Sequence, residues 1–134
     1  MKPLRVSLLF FTLLLLPAFK CLAKEYIIYS IAQDIPMGED NEIVKKNYYM
    51  NLGLQQGIRE ENTLDVYRVV SRLDPYASKK RFNYKIKIGE LKVIHSEDNS
   101  SIAIRKSMRE GENAPIFDSD GFFIGDFVSA HVDN

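Results

Sequence analysis

The chain has 134 residues, 46% of them hydrophobic and 27% charged, with 18 basic and 18 acidic side chains, one cysteine and no tryptophan. That length suits one domain of ordinary size rather than two. The composition excludes a disordered tail, a collagen-like repeat and a disulfide-stapled mini-protein.

Residues 1–23 differ from the rest. Met1–Arg5 carries two positive charges, Val6–Ala18 is an apolar run, Pro17 breaks any helix, and Cys21-Leu22-Ala23 offers small residues at the positions a signal peptidase inspects. These are the three regions of a secretory signal peptide, with cleavage expected after Ala23. A retained anchor is the competing reading, but a spanning helix needs about 20 apolar residues and Lys20 interrupts the flank here. A lipid-modified Cys21 would normally follow a small residue, and Lys20 precedes it. The mature protein, residues 24–134, is expected to be a single domain with 15 basic and 18 acidic groups and no cysteine. It would then have no disulfide and no thiolate, and no electrostatic footprint for nucleic acid.

Tyr26–Ala32 (YIIYSIA) is short and rich in β-branched and aromatic residues, which suits a strand. Asp34–Lys46 reads as a polar loop. Asn47–Leu52 is a second strand ended by Gly53, with a turn around Gly57. Thr63–Leu73 is a third, and Asp74-Pro75-Tyr76 starts a turn. In Phe82–Gly89, Phe82, Tyr84, Ile86 and Ile88 alternate with polar residues, which predicts a strand with one buried and one wet face. Glu90–His95 continues it past a bend or bulge at Gly89. Ser101–Ser107 returns antiparallel after a short turn, and Phe122–Val132 supplies a final strand interrupted at Gly125-Asp126. The fold expected is all-β, a small antiparallel barrel or sandwich of about six short strands. Its core candidates are Ile28, Tyr49, Leu52, Leu64, Val66, Val70, Ile86, Ile88, Leu91, Val93, Ile102, Ile104, Ile124 and Val128.

Three pieces recur in order: Asn51-Leu52-Gly53 with Gly57-Ile58 and Leu64–Arg68, then Ile88-Gly89-Glu90-Leu91-Lys92-Val93, then Ile124-Gly125-Asp126-Phe127-Val128. This pattern resembles the small C-terminal β domain of the flagellar assembly protein T family. The glycines are expected at turns where a positive φ is cheap only without Cβ. The chain departs from the family at Glu60-Glu61-Asn62, where Gly-Asp is expected. The resemblance implies a periplasmic protein that helps build a ring around a bacterial flagellar motor. Larger family members carry two further domains before this one, so the full ring-building role does not transfer.

A search for chemistry finds little. His95 and His131 lie far apart without a zinc motif, and zinc needs three or four convergent ligands, so no metal site is expected. Asp118-Ser119-Asp120-Gly121 resembles part of a calcium loop, but the alignment puts Ile116 and Phe127 where oxygen ligands belong. It reads as an Asp-Gly turn. No nucleophile elbow, P-loop or dinucleotide fingerprint occurs. Glu60-Glu61 and Glu97-Asp98 read as solvated loop charges, and Asn99-Ser100-Ser101 is a glycosylation acceptor only in a eukaryotic source. No catalytic residue and no cofactor is expected, and the chain is read as a non-enzyme.

The expected partner contact is the hairpin bearing Tyr76, Lys79, Lys80, Arg81, Tyr84, Lys85 and Lys87, together with the Asp34–Lys46 loop. Alternation puts Lys85 and Lys87 on one face and Phe82 and Tyr84 on the other, whereas a single-strand nucleic-acid platform needs both on one surface. The expected function is a non-catalytic periplasmic structural or adaptor protein, with protein partners in the bacterial envelope such as flagellar motor or ring components. An exported small-barrel binding module for an envelope protein or glycan is the alternative, and an enzyme with an unrecognised site the third. No membrane span is expected after signal cleavage. The location expected is the periplasm, with secretion as the alternative.

Overall fold

Six strands are set by the alternation and the turn residues: β1 (Tyr26–Gln33), β2 (Lys46–Met50), β3 (Thr63–Asp74), β4 (Lys80–Ser96), β5 (Ser101–Met108) and β6 (Phe127–Ala130). They come from a computed structural model that describes residues 24–117 and 121–131. The signal-peptide segment 1–23, the Asp118–Asp120 part of the calcium-like turn and residues 132–134 lie outside the described residues. The strands close into an antiparallel barrel in the order β1-β2-β5-β4-β3-β6. Closure pairs both sides of the strands within the barrel, so no sheet edge is left there to recruit other chains.

Because every neighbour is antiparallel, the loops alternate between the two ends. The 34–45 loop, the β3–β4 turn and the 109–126 connection share one end. The 51–62 and 97–100 segments share the other, joined there by Leu54 N to Glu97 O at 2.8 Å and Gln55 N to Asp98 O at 2.9 Å. A 3-10 turn at Leu54–Gln56 lies in this seam.

The bend expected at Gly89 is present as a bulge. Val66 pairs with Gly89 and Tyr67 with Lys87, so Ile88 is the extra residue. A second shift between Glu90 and Leu91 occurs against β5. Gly89 is needed for room rather than for a positive φ: a Cβ there would run into Ser107 O and come within 2.8 Å of Phe122 Cζ. Gly53 is likewise extended (φ −158°), and a Cβ on it would meet Ser100 O at 2.7 Å. The expected left-handed backbone occurs at Gly57 (φ 80°) and Gly125 (φ 97°).

The core holds Ile28, Leu52, Leu64, Val66, Ile88, Leu91, Val93 and Val128, as the alternation predicts. The other expected core positions differ. Tyr48, not Tyr49, faces inward, and Tyr49 packs outside against Tyr29 at 6.5 Å. On β5 the inward residues are Ser101 and Ala103, while Ile102 and Ile104 are not buried. The cause is volume. Tyr48 lies opposite Ala103 and meets Phe122 edge-on at 5.4 Å, so the wall facing them must be small. Phe122 fills the interior in place of Ile124, which is exposed. The last strand accordingly starts at Phe127 rather than at Phe122. Val70 and Ile86 lie beyond the barrel rim, for the reason that makes the next region distinctive.

Candidate functional site

β3 and β4 are far longer than their neighbours. They stay paired from Thr63–Lys92 to Asp74–Lys80, whereas β6 accompanies β3 only as far as Tyr67 and β5 accompanies β4 only to Gly89. The remaining hairpin leaves the barrel as a two-stranded arm. From Val69–Lys85 to Asp74–Lys80 it projects about 17 Å at ~3.4 Å per residue. Its tip is shaped by Asp74, whose Oδ1 accepts from Tyr76 N at 2.9 Å and Ala77 N at 3.2 Å. Tyr76 is 97% exposed at the end.

The arm carries Tyr76, Lys79, Lys80, Arg81, Tyr84 and Lys85 of the residues singled out for partner contact, Lys87 lies at its root, and the 34–45 loop belongs to the β1–β2 connection. Between Arg68 and Lys87 the chain has seven cations and a single acid, while the rest of residues 24–134 holds eight cations and 17 acids. Charge is therefore segregated within a nearly neutral protein, which net charge conceals.

Register decides what each face offers. The face continuing the barrel interior pairs Arg68 with Ile86, Val70 with Tyr84, Arg72 with Phe82 and Asp74 with Lys80. The opposite face pairs Tyr67 with Lys87, Val69 with Lys85, Ser71 with Asn83 and Leu73 with Arg81. The separation of lysines from aromatics expected along β4 holds for Lys85 and Lys87. It fails for the arm as a whole, because β3 puts Arg68 and Arg72 on the aromatic face and Lys80 Nζ lies 5.2 Å from the Phe82 ring centre. Arg72 joins the aromatic face, a placement that reading single strands misses, since only cross-strand pairing puts it opposite Phe82.

The arm's two innermost cations serve as anchors. Arg68 donates Nε to Asp126 Oδ1 at 3.0 Å and Nη2 to Asp126 Oδ2 at 2.8 Å, and Nη2 also donates to Gly121 O at 2.9 Å. Its guanidinium lies 4.4 Å from the Phe123 ring centre. On the other face Lys87 Nζ reaches Asp65 Oδ1 at 3.0 Å and Glu90 Oε1 at 3.2 Å. The hydrogen bond that Lys87 donates to Asp65 raises the Lys87 pKa above its usual 10.5, opposed by partial burial. Lys87 thus sits at the root of the arm as an anchor. Arg72, Lys79, Lys80, Arg81 and Lys85 form no ion pair with an acid among the described residues. Lys85 instead lies over the rings of Tyr67 and Phe127, at 5.5 and 5.1 Å from their centres.

His131, expected to stand apart from any ligand, joins Asp65 and Glu90. Its Nδ1 lies 2.8 Å from Asp65 Oδ1 and 3.5 Å from Glu90 Oε1. One ligand atom from each of the three falls within 4.8 Å of the others, so the group could hold a metal ion. The Lys87 ammonium already supplies positive charge at both carboxylates, and a metal would have to compete with it. Asp65 and Glu90 are directly opposite across β3 and β4, a like-charge pairing that destabilises a sheet unless neutralised. The geometry reads as that neutralisation. His95 Nε2 lies 2.8 Å from Glu97 Oε1 on an exposed strand end at the far end of the barrel.

An open cavity of about 660 Å³ lies elsewhere, lined by Val44–Tyr48, Ile94, Ile104, Arg105 and Gly121. Among the described residues no helix is long and apolar enough to cross a membrane. No protein-family model matches the sequence, and no curated protein is detectably similar to it.

Proposed function

We propose that this is an exported, non-catalytic structural protein that docks into an envelope assembly through its β3–β4 arm. The observation that carries the reading is the arm itself: two strands that continue past the closed barrel with aromatic residues and five cations that have no acidic partner among the described residues. A catalytic role would call for converging reactive groups at a cleft. Of the polar groups that do converge, Arg68 and Asp126 hold the base of the arm to the turn before β6, and Lys87 offsets the paired carboxylates of Asp65 and Glu90 beside His131. Exposed tyrosine, phenylalanine and arginine are the residue types that anchor protein interfaces. The flagellar basal body is the assembly to which the turn-and-strand resemblance points, with motor or ring components as partners and the periplasm as location.

The test is a cell-based one. The arm tip, residues 75–79, is replaced by a two-residue Asn-Gly turn, and envelope fractions and motility are compared with those of the parent. The expected result is an exported protein that keeps its barrel fold but leaves the basal-body fraction, with reduced swimming. A tipless protein that still sediments with basal bodies, or a parent found in the cytoplasm, overturns the proposal.

The cavity favours a second reading, an exported binding module. Ile94 and Ile104 line it beside Lys45, Lys46 and Arg105, a combination suited to an anionic ligand with an apolar part, such as an acidic envelope glycan carrying acyl groups. Isothermal titration with such a glycan, using Arg105→Glu as control, tests it; no heat, or heat unchanged by the substitution, rejects it.

A further inference from the structure

The arm has a complement within the same sequence. The 34–45 loop carries Asp34, Glu39, Asp40 and Glu42 with no cation before Lys45. None of these acids forms an ion pair among the described residues. Interleaved with them, Ile35, Met37 and Ile43 are 81%, 78% and 85% exposed. The loop is held in shape, since Glu42 Oε1 accepts from Met37 N at 2.6 Å and its Oε2 from Gly38 N at 3.1 Å. An acidic, greasy, preformed loop thus matches a basic, aromatic arm in both charge and apolar character.

Placement keeps the two apart within one molecule. Both lie at the same end of the barrel, because β1–β2 and β3–β4 turn at that end. In the closed order, β5 and β6 separate the β1–β2 pair from the β4–β3 pair on either side, so the loop and the arm stand on opposite sides of that end. A twofold axis at this end, perpendicular to the plane containing the arm, the loop and the barrel axis, brings each arm over the other copy's loop. Both contacts form at once and no complementary surface is left over, which is the condition for a closed, self-complementary dimer.

We infer that the arm's partner is a second copy of this chain, docked end to end so that each arm lies on the other's 34–45 loop. Phe82, Tyr84 and Val70 then cover Ile35, Met37 and Ile43, with Arg72 and Lys79–Arg81 facing Glu39 and Asp40. The apolar groups supply affinity, and the charges supply pairing specificity and salt sensitivity. This inference rests on the docking reading above and names the partner.

The test is sedimentation velocity on the protein as exported by cells, with circular dichroism to check folding. The expected result is a dimer at low ionic strength whose affinity falls about tenfold or more at 1 M salt, where the screening length is roughly 3 Å. The triple variant Lys79→Glu, Lys80→Glu, Arg81→Glu and the double variant Glu39→Lys, Asp40→Lys should each be monomeric. Mixed together they should dimerise again, because the reversed arm meets the reversed loop and each remaining wild-type element meets its complement. Phe82→Ala with Tyr84→Ala supplies a second arm variant, monomeric with all charges intact. A monomeric parent, a dimer that survives either reversal, or a mixture that stays monomeric overturns the inference. A monomeric parent whose arm tip is still needed for basal-body association would remove the second copy as partner and leave the docking reading standing.

Discussion

Arg68 on β3 and Asp126, 58 positions further along the chain, form a two-point ion pair at 2.8 and 3.0 Å that clamps the base of the arm to the turn before β6. Asp126 is buried, and its Oδ2 also accepts from Phe123 N at 2.7 Å. The same carboxylate therefore shapes the turn and holds the arm. The guanidinium's planar fork makes the pairing possible, and a lysine ammonium could not reproduce it.

Removing one partner leaves the other charge buried. Asp126→Ala is expected to lower unfolding free energy by about 3–5 kcal/mol, measured from urea midpoints. Arg68→Lys should recover little of the stability that Arg68→Ala loses. The double variant Arg68→Ala, Asp126→Ala should cost less than the sum of the single changes, since the two act as one unit. Additive costs would show that the pair is not coupled.

Gly89→Ala is expected to destabilise by about 1–3 kcal/mol through overpacking, because the new methyl would press on Ser107 O and on the Phe122 ring. Adding Phe122→Leu, which withdraws the ring edge, should make the glycine substitution less costly than it is alone. An unchanged cost in that background would place the whole penalty on the β5 backbone. A neutral Gly89→Ala would mean that the bulge has room for a side chain.

Stability should fall at alkaline pH. Burial raises the Tyr48 pKa above 10.0, opposed by Arg105, and the Asp65 hydrogen bond raises that of Lys87 above 10.5. Both groups hold their protons more tightly folded than unfolded. Their contributions are complete below the unfolded values and are lost as pH rises through the folded ones. Denaturant midpoints should show no loss from these two groups between pH 7 and about 9 and should drop above about pH 10. Tyr48→Phe should make that drop shallower. An identical alkaline limb in the variant would remove Tyr48 as its source.

Much of the fold is legible along the chain, and some of it is not. Period-two alternation in Phe82–Ile88 announces a strand, and Gly89 announces its bend. Alternation does not tell which parity faces in when both parities are apolar or both are small. Ser101 and Ala103 turned inward because Tyr48 and Phe122 had already taken the volume, and no local pattern on β5 records that. Asp65, Glu90 and His131 were equally unreadable as a group, since their meeting depends on the β3–β4 register and on the return of β6 beside β3.

The sequence by itself determined that about six strands form and roughly where, that one stretch is basic and another acidic, and that no familiar catalytic signature occurs. These are properties of neighbouring residues, which local sterics and composition control. Only the tertiary structure decided that the basic stretch leaves the barrel as an arm and that arginines from one strand join aromatics of the other. It also decided that the acidic loop stands at the same end on the far side. Those outcomes follow from barrel closure, a many-residue packing condition that no single segment encodes.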